Sequence, residues 1–305
     1  MTASVPVLGT GVSTAFGTFG ELLQGVLPDG RDFLVTLPIA RWSMATFLAG
    51  AAWHDVQVRP AHKVKARRLA RMITAAGPGP VGGLLTLESG IAEGKGLASS
   101  SADLVATARA VGNALGVDLP PERIEEYLRR IEPTDGVLYD GIVAYHHREV
   151  RLLGRFGSLP SMTVVGVDEG GVVDTVEFNR IRKPFTAADR REYSRLLTRL
   201  RSAVRVGDLD EVGAVATRSA VMNQALRPRW TLDPLLDVCA KVGGLGVVAA
   251  HSGTTLGILL DPRAPGHRER TARAAAACSS LAGNATLHRT LSFGRTNLPK
   301  VGSDR

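Results

Sequence analysis

The chain has 305 residues, of which 44% are hydrophobic and 22% are charged. This length suits two domains of ordinary size, and the composition excludes a disordered polar chain because it supplies enough apolar material for a core. The formal net charge is +8, but the 37 basic residues, 31 of them arginines, are spread along the chain, and aromatic residues make up 5%. Because no long basic tract or set of base-stacking aromatics stands out, the composition does not favour nucleic acid as a partner.

The N-terminal segment 1–6 lacks the charged and apolar regions of a signal peptide. No apolar run approaches the roughly 20 residues that span a bilayer. The two cysteines, Cys239 and Cys278, fall in predicted helices among small apolar residues, which predicts buried free thiols. We therefore expect a cytoplasmic protein without a membrane partner; the sequence leaves a monomer and a homodimer both open.

The first third of the chain is predicted to be rich in strands. Residues with β-branched and aromatic side chains predict strands over 33–39, 42–48 and 56–59. The densest basic run, at 62–71, carries apolar residues at helical spacing and predicts a helix with a solvated basic face. A strand over 84–89 then leads into a glycine-rich loop.

Helices are predicted to dominate the remainder. An apolar stripe predicts a helix from near Ser99 to Leu115, and a second helix from Pro121 to the residue before Pro133. Downstream, the pattern predicts a strand over 162–167 and a hairpin over 245–260. A capping box at Thr186 and Asp189 predicts the start of a helix, and further helices are predicted over 208–224, 233–242 and 264–281. The change from strands to helices predicts a boundary near 150–160, and thus domains at 1–157 and 158–305.

The glycine-rich loop has the composition of a phosphate-binding site. Gly94 and Gly96 allow backbone angles that let successive N–H groups converge on one anion. The helix that starts near Ser99 adds free N–H donors and the positive end of its dipole, and Lys95 adds a positive charge. The predicted phosphate-binding residues are Gly94, Lys95, Gly96, Leu97, Ala98, Ser99, Ser100 and Ser101. The alternative for these residues is a plain glycine-rich turn capped by serines.

Two further segments carry polar side chains at turns. Glu132 and Asp135 flank a helix-breaking proline, and phosphoryl transfer uses one carboxylate on Mg²⁺ and a second near the acceptor hydroxyl. The alternative is a helix end followed by an Asp-Gly turn. His251, Ser252 and Gly253 lie at the turn of the predicted hairpin, where hydroxyl and N–H groups are also typical of hairpin structure.

These segments together resemble motifs of the GHMP kinases, the superfamily of galactokinase, homoserine kinase and mevalonate kinase. The loop at 93–102 resembles their phosphate-binding motif, the turn at 250–254 their C-terminal motif, and the Gly-Thr-Phe-Gly-Glu-Leu-Leu-Gln-Gly segment at 17–25 their N-terminal motif. The Glu-Pro-Thr-Asp turn adds a fourth match, and all four most resemble the L-threonine kinases of cobalamin assembly. The resemblance spans about residues 14 to 260.

The resemblance implies a two-domain α+β GHMP-kinase fold, with an N-terminal ribosomal-protein-like α/β domain and a C-terminal ferredoxin-like domain. It implies ATP over the loop and Mg²⁺ between Ser100 and Glu132. Catalytic roles fall to Asp135, which would orient or deprotonate the acceptor hydroxyl, and to Ser100 and Lys95.

The same resemblance implies an acceptor pocket and a reaction. Glu21 and Gln24 match residues that line this pocket and suit the ammonium and polar groups of an amino acid; Asp135, His251, Ser252 and Gly253 complete the predicted substrate site. The implied activity is phosphorylation of L-threonine, with homoserine, serine or another hydroxy-amino acid as alternatives. A more distant alternative is a non-catalytic module that binds nucleic acid or protein. Glu93 would repel a triphosphate and is expected to point away or to pair with Lys95.

Overall fold

The computed structural model of the chain describes residues 7–50, 53–77, 82–171, 173, 178 and 180–294. The segment 1–6, on which the signal-peptide prediction depends, lies outside the described residues. The strands are β1 (Gly9–Val26), β2 (Asp32–Gly50), β3 (Val56–Arg59), β4 (Gly82–Ser89), β5 (Ile142–His146), β6 (Arg151–Gly157), β7 (Thr163–Asp168), β8 (Gly246–Ala249), β9 (Thr255–Leu260) and β10 (Thr286–Arg289). The helices that support the sheet are α1 (Val64–Ala75), α2 (Ser99–Leu115), α3 (Pro121–Leu128), α4 (Ala187–Val206), α5 (Leu209–Asn223), α6 (Leu232–Val242) and α7 (His267–Ala282).

The strands form one mixed sheet that runs through both halves of the chain. Its order is β10-β7-β9-β8-β1-β2-β4-β3, and β5 and β6 branch from β2. Adjacent strands are antiparallel except β3 and β4, which run parallel. The predicted α+β class is therefore confirmed.

Strand β1 was not predicted, because its sequence contains glycines that are rare in strands. Gly9 and Gly11 lie against α2, and a Cβ atom at either position would overlap backbone atoms of that helix. The glycines therefore serve the close approach of helix and sheet. This strand carries the segment at 17–25 to the centre of the molecule.

The predicted strands over 33–39 and 42–48 are one continuous strand, β2. Phe16 of β1 lies opposite Trp42, but the next residue, Gly17, lies opposite Ile39. Residues 40 and 41 of β2, which lie between Ile39 and Trp42, form a bulge that interrupts the alternation of side chains without ending the strand. The separation predicted from the pattern was therefore wrong.

The helix predictions hold with shifted ends. The helix behind the loop ends at Leu115, where Gly116 adopts a left-handed φ of 65°, and the capping box of Thr186 and Asp189 is present at the start of α4. The helix that begins at Pro121 ends at Leu128 instead of just before Pro133. Strands β5, β6 and β10 were not predicted. None of the helices in the described parts of the chain is both long and apolar enough to cross a membrane.

The main hydrophobic core draws on both halves of the sequence. It includes residues of β1, β2 and α2 together with residues of α4 and α5, and the ring of Tyr193 packs against the ring of Phe33 with centroids 6.3 Å apart. A second cluster lies between β7, β8, β9 and helices α6 and α7 and contains Cys239 and Cys278. Both cysteines are buried and free, as predicted.

Candidate active site

A cavity of about 300 Å³ lies between the glycine-rich loop, the starts of α1 and α2, the segment after α3 and the β8–β9 turn. The predicted site residues that line it are Glu21, Gly94, Gly96, Leu97, Ala98, Ser99, Ser100, Ser101, Glu132, Asp135, His251 and Ser252. The structure thus brings together four segments that are far apart in the sequence. The predicted residues Gln24, Lys95 and Gly253 are not among the residues that line it.

The start of α2 presents backbone donors to the cavity. Ala98, the residue before the helix, has a left-handed φ of 58°, and its side chain makes no capping hydrogen bond to the helix. The first helical hydrogen bond runs from Ala102 N to Ala98 O at 2.9 Å. The N–H groups of Ser99, Ser100 and Ser101 therefore lack helical partners and, with the helix dipole, form a site for an anion.

The glycine-rich loop is held by the turn between β8 and β9. Gly96 has a φ of 79°, and a Cβ atom there would lie 2.5 Å from the Cβ atom of Ala250. A Cβ atom at Gly253 would overlap the carbonyl oxygen of Lys95. Because both positions lack a side chain, the two backbones can touch, and Thr255 Oγ1 donates to Lys95 O at 2.9 Å. Gly253 therefore shapes the loop from behind.

Ser100 and Glu132 form a contact across the cavity. The Ser100 hydroxyl donates to Oε1 of Glu132, and the Lys65 ammonium donates to Oε2 at 2.5 Å. The Glu132 side chain is 4% exposed, so the lysine supplies the charge that offsets the burial of this carboxylate. Lys65 comes from the basic helix α1, whose basic face was predicted to be solvated; its side chain is 49% exposed, as that prediction requires, and its ammonium group also pairs with this carboxylate.

Asp135 lies beside Ser101 at the same end of the cavity. Its backbone N–H donates to Ser101 Oγ at 3.1 Å, and the Ser101 hydroxyl lies 3.3 Å from Oδ2 of Asp135. Burial raises the pKa of Asp135 from 3.8 to about 6; the Ser101 hydrogen bond opposes this shift, and the nearby Glu132 carboxylate adds to it. A carboxylate with this pKa is suited to accept a proton near neutral pH.

Glu21 projects from β1 into the cavity and is buried. Burial raises the pKa of Glu21 well above its usual value, and the Asp135 carboxylate raises it further, while the backbone N–H of His251 and the Arg229 guanidinium lower it. No partner among the described residues reaches its Oε2 atom. Such an unpartnered buried oxygen is suited to a ligand that brings a hydrogen-bond donor.

Gln24 supports His251 instead of lining the cavity. Its amide nitrogen donates to the Ala249 carbonyl at 3.1 Å, so its oxygen faces His251 Nδ1 at 2.7 Å. An amide oxygen only accepts, and the hydrogen-bond network therefore places the imidazole proton on Nδ1. Burial holds the pKa of His251 well below 6.5, so the ring is neutral and its Nε2 atom is an acceptor.

Lys95 and Glu93 each form an ion pair with a side chain from outside the loop. Lys95 Nζ lies 2.6 Å from Oδ2 of Asp168, and it donates to the Gly171 carbonyl at 2.9 Å. Glu93 does not pair with Lys95 as the sequence suggested; its Oε1 atom lies 2.6 Å from Nζ of Lys63. Glu93 lines the cavity, where the ammonium group of Lys63 offsets its negative charge, and Lys95 ties the loop to β7.

Several residues at the site were missed from the sequence. Lys63 reaches the cavity and also lies 2.5 Å from Asp103 of α2. Arg229, whose side chain is 4% exposed, donates to the Ala250 and Gly253 carbonyls at 3.0 and 2.6 Å and so fixes the β8–β9 turn. The sequence carries one signal for the two lysines: lysine is rare in this chain, with six among 37 basic residues, and two of the six, Lys63 and Lys65, line this cavity.

Two comparisons with known sequences show which proteins the chain is similar to. The model of the GHMP kinases N terminal domain matches residues 63–146. L-threonine kinase from Citrobacter freundii is 27% identical over 243 residues, which make up 79% of this chain and 83% of that protein. The chain is therefore similar to the GHMP kinases over residues 63–146 and to an L-threonine kinase over most of its length. The protein is accordingly a small-molecule phosphotransferase with an alcohol group as acceptor.

Solved structures of GHMP kinases share its fold. Mevalonate kinase from L. major, in complex with R-mevalonate, superposes with a TM-score of 0.71 at 15% identity, covering 95% of this chain and 100% of that chain. Homoserine kinase from Cytophaga hutchinsonii gives a TM-score of 0.70 at 12% identity, covering 93% and 95% respectively. At these identities the likeness establishes the fold.

Proposed function

We propose that this protein transfers the γ-phosphate of ATP to the side-chain hydroxyl of L-threonine, giving O-phospho-L-threonine. The observation that carries the proposal is the convergence, in one cavity, of the helix N-terminus at Ser99, the Ser100–Glu132 pair and Asp135. The identity with L-threonine kinase supports the choice of acceptor. The product would serve cobalamin assembly, as in the kinases whose motifs the chain resembles.

The nucleotide phosphates would bind at the start of α2. Unpaired N–H groups, three serine hydroxyls and the helix dipole all favour an anion at this position. The proposed ligands of the triphosphate are the backbone of Gly94, Gly96, Leu97 and Ala98 and the hydroxyl and N–H groups of Ser99, Ser100 and Ser101. Lys95 contributes by fixing the loop through Asp168.

The residues present suit a Mg²⁺ ion that arrives with the nucleotide. Among the described residues, no cluster of three or more His, Cys, Asp or Glu side chains could hold a metal alone. Mg²⁺ is usually held by one or two carboxylates together with substrate phosphates and water. Glu132 and Ser100 fit that pattern, and the ion would neutralise charge on the phosphates.

Asp135 would act on the acceptor. With a pKa of about 6 its carboxylate is mostly ionised at neutral pH, so it can accept the proton of the hydroxyl as that oxygen attacks the γ-phosphorus and the bond to ADP breaks. The oxygen of Glu21 would accept from the ammonium group of the amino acid, which would in turn favour the ionised form of Glu21.

We also propose that the chain divides into domains at 1–157 and 158–305, with the cavity between them. Glu21, the loop and Glu132 come from the first domain, and the turn at His251 comes from the second. This arrangement would place the nucleotide against the first domain and close the acceptor pocket with the second.

An acceptor screen tests the proposed function. ADP release is measured with ATP and Mg²⁺ and, in turn, threonine, serine, homoserine, other hydroxy-amino acids, and amino alcohols that lack the carboxylate. We expect the highest kcat/KM with L-threonine. Turnover restricted to homoserine or serine would replace the acceptor but keep the reaction, whereas no ADP release with any of these compounds would refute the proposal.

A further inference from the structure

Lys65 occupies an unusual position at the cavity wall. Its ammonium group holds Oε2 of the buried Glu132, while the Lys65 side chain itself remains 49% exposed. The other carboxylate oxygen accepts from Ser100. The lysine therefore binds the carboxylate to which we assign the metal, and it lines the same cavity as the phosphate-binding loop.

Lys63, two residues earlier, provides a useful contrast. Its ammonium lies between the carboxylates of Glu93 and Asp103, at 2.6 and 2.5 Å, and its side chain is 12% exposed. Two negative partners and burial hold Lys63 in place. Lys65 has one carboxylate partner among the described residues, a flexible four-carbon stem and exposure to solvent, so it is able to move.

A cation bound by Ser100 and Glu132 would supply the same positive charge that Lys65 supplies in this structure. The buried carboxylate would then no longer require the lysine, since its charge would be offset by the ion. The released ammonium would still lie at the wall of a cavity that contains Gly94 and Gly96 of the loop. There the strongest partner available to it would be the nucleotide phosphates.

We propose that Lys65 is an exchangeable counter-ion, which neutralises Glu132 until a divalent cation does so and then binds the phosphates of the nucleotide. The inference rests on the proposed ATP-dependent function. It assigns to the basic helix α1 a positioning role that its sequence pattern did not indicate. The exchange also accounts for the residue type at this position. Most basic residues of the chain are arginines, but the one that contacts the buried Glu132 is a lysine, which moves easily.

The exchange can be tested without metal. Glu132→Gln removes the negative charge that holds Lys65, so the variant mimics neutralisation by a cation. Dissociation constants for ATP are measured by calorimetry in excess EDTA for the wild type, Glu132→Gln and Glu132→Gln/Lys65→Gln. We expect Glu132→Gln to bind ATP about tenfold more tightly than the wild type, and the added Lys65→Gln change to abolish that gain, a loss of about tenfold or more.

Arg68 provides the matched control because it lies on the same helix and is exposed. Adding Arg68→Gln to Glu132→Gln should change the dissociation constant by less than about twofold, and Lys65→Arg should retain most of the gain because it keeps the charge. Circular dichroism verifies that each variant is folded. If Lys65→Gln weakens ATP binding no more than Arg68→Gln does, the exchange is refuted.

The wild type with Mg²⁺ separates this inference from the proposed function. Wild-type protein that binds Mg²⁺-ATP, together with a silent Lys65→Gln change, would refute only the counter-ion exchange. Wild-type protein that binds no ATP under either condition would refute the proposed function, and the exchange with it.

Discussion

Asp135 is the residue at which function and stability are expected to oppose each other. Its pKa is about 6 in the folded chain, against 3.8 for an ordinary aspartate, because it is buried near Glu132. The folded state therefore binds this proton more tightly than the unfolded state does. The raised pKa favours folding while Asp135 is protonated, and this contribution is lost as the pH rises through about 6.

Replacing Asp135 by Asn should therefore stabilise the protein at neutral pH while it abolishes catalysis. We expect the free energy of unfolding at neutral pH to rise by about 1–2 kcal/mol, and the difference from wild type to vanish below about pH 4. The value of kcat should fall by about a hundredfold or more. Denaturant unfolding at several pH values measures the first effect, with the exposed Asp140→Asn as control. A loss of stability that is the same at every pH would contradict this account.

The pH dependence of the wild-type reaction should report the same group. If Asp135 must be ionised, kcat at saturating L-threonine, where the bound ammonium group keeps Glu21 ionised, should fall as the pH drops below about 6, with one proton taken up. His251 should not produce this limb, since burial keeps its pKa well below 6.5. A Gln24→Leu variant, which removes the partner of His251, should raise KM for the acceptor and leave the position of the limb unchanged. A limb that shifts in Gln24→Leu would implicate His251 instead.

Among the elements, the contact between the glycine-rich loop and the β8–β9 turn leaves no room for a side chain. Gly253→Ala would force the turn away from the Lys95 carbonyl, and we expect a loss of about 2–3 kcal/mol in stability and a rise of about tenfold or more in KM for ATP. Gly116→Ala is the control: its φ is 65° and no atom of the described residues lies within 4 Å of the added Cβ. It should cost about 1 kcal/mol and leave KM unchanged. A wild-type KM in Gly253→Ala would show that the contact does not shape the loop.

The elements also show which parts of the site could be predicted from the sequence. The loop at Gly94 and Gly96, the helix start at Ser99 and the carboxylates Glu132 and Asp135 carry local signals, namely glycines, caps and a proline, and the structure brings them to one cavity. Contacts between distant segments carry no such signal. The pairing of Lys65 with Glu132 depends on how α1 packs against the segment after α3, which a periodic pattern does not reveal.

The same distinction explains the strands that were missed or divided. Strand β1 contains glycines that its packing against α2 requires, so its sequence resembles a loop. A bulge at residues 40 and 41 of β2, opposite Phe16 and Gly17 of β1, makes β2 look like two strands. In both places tertiary packing outweighs local propensity.

At the scale of the whole molecule, the two proposed domains share one sheet and one main core. Strand β1 pairs with β8 at Glu21 and Ala249, and Tyr193 of α4 packs on Phe33 of β2. We therefore expect the full chain to unfold in one cooperative transition and a chain ending at residue 157 not to fold alone, since its apolar surface would be uncovered. Circular dichroism during denaturant titration of both chains tests this. A cooperative transition in the 1–157 chain would show that the domains are independent.

The most direct test of the central claim is to identify the product by ³¹P NMR after incubation with ATP, Mg²⁺ and L-threonine. The account predicts a phosphomonoester resonance that coincides with added O-phospho-L-threonine, appears in step with ADP, and is lost in Asp135→Asn. Inorganic phosphate as the sole product, or a threonine phosphate signal of equal intensity in Asp135→Asn, would contradict it.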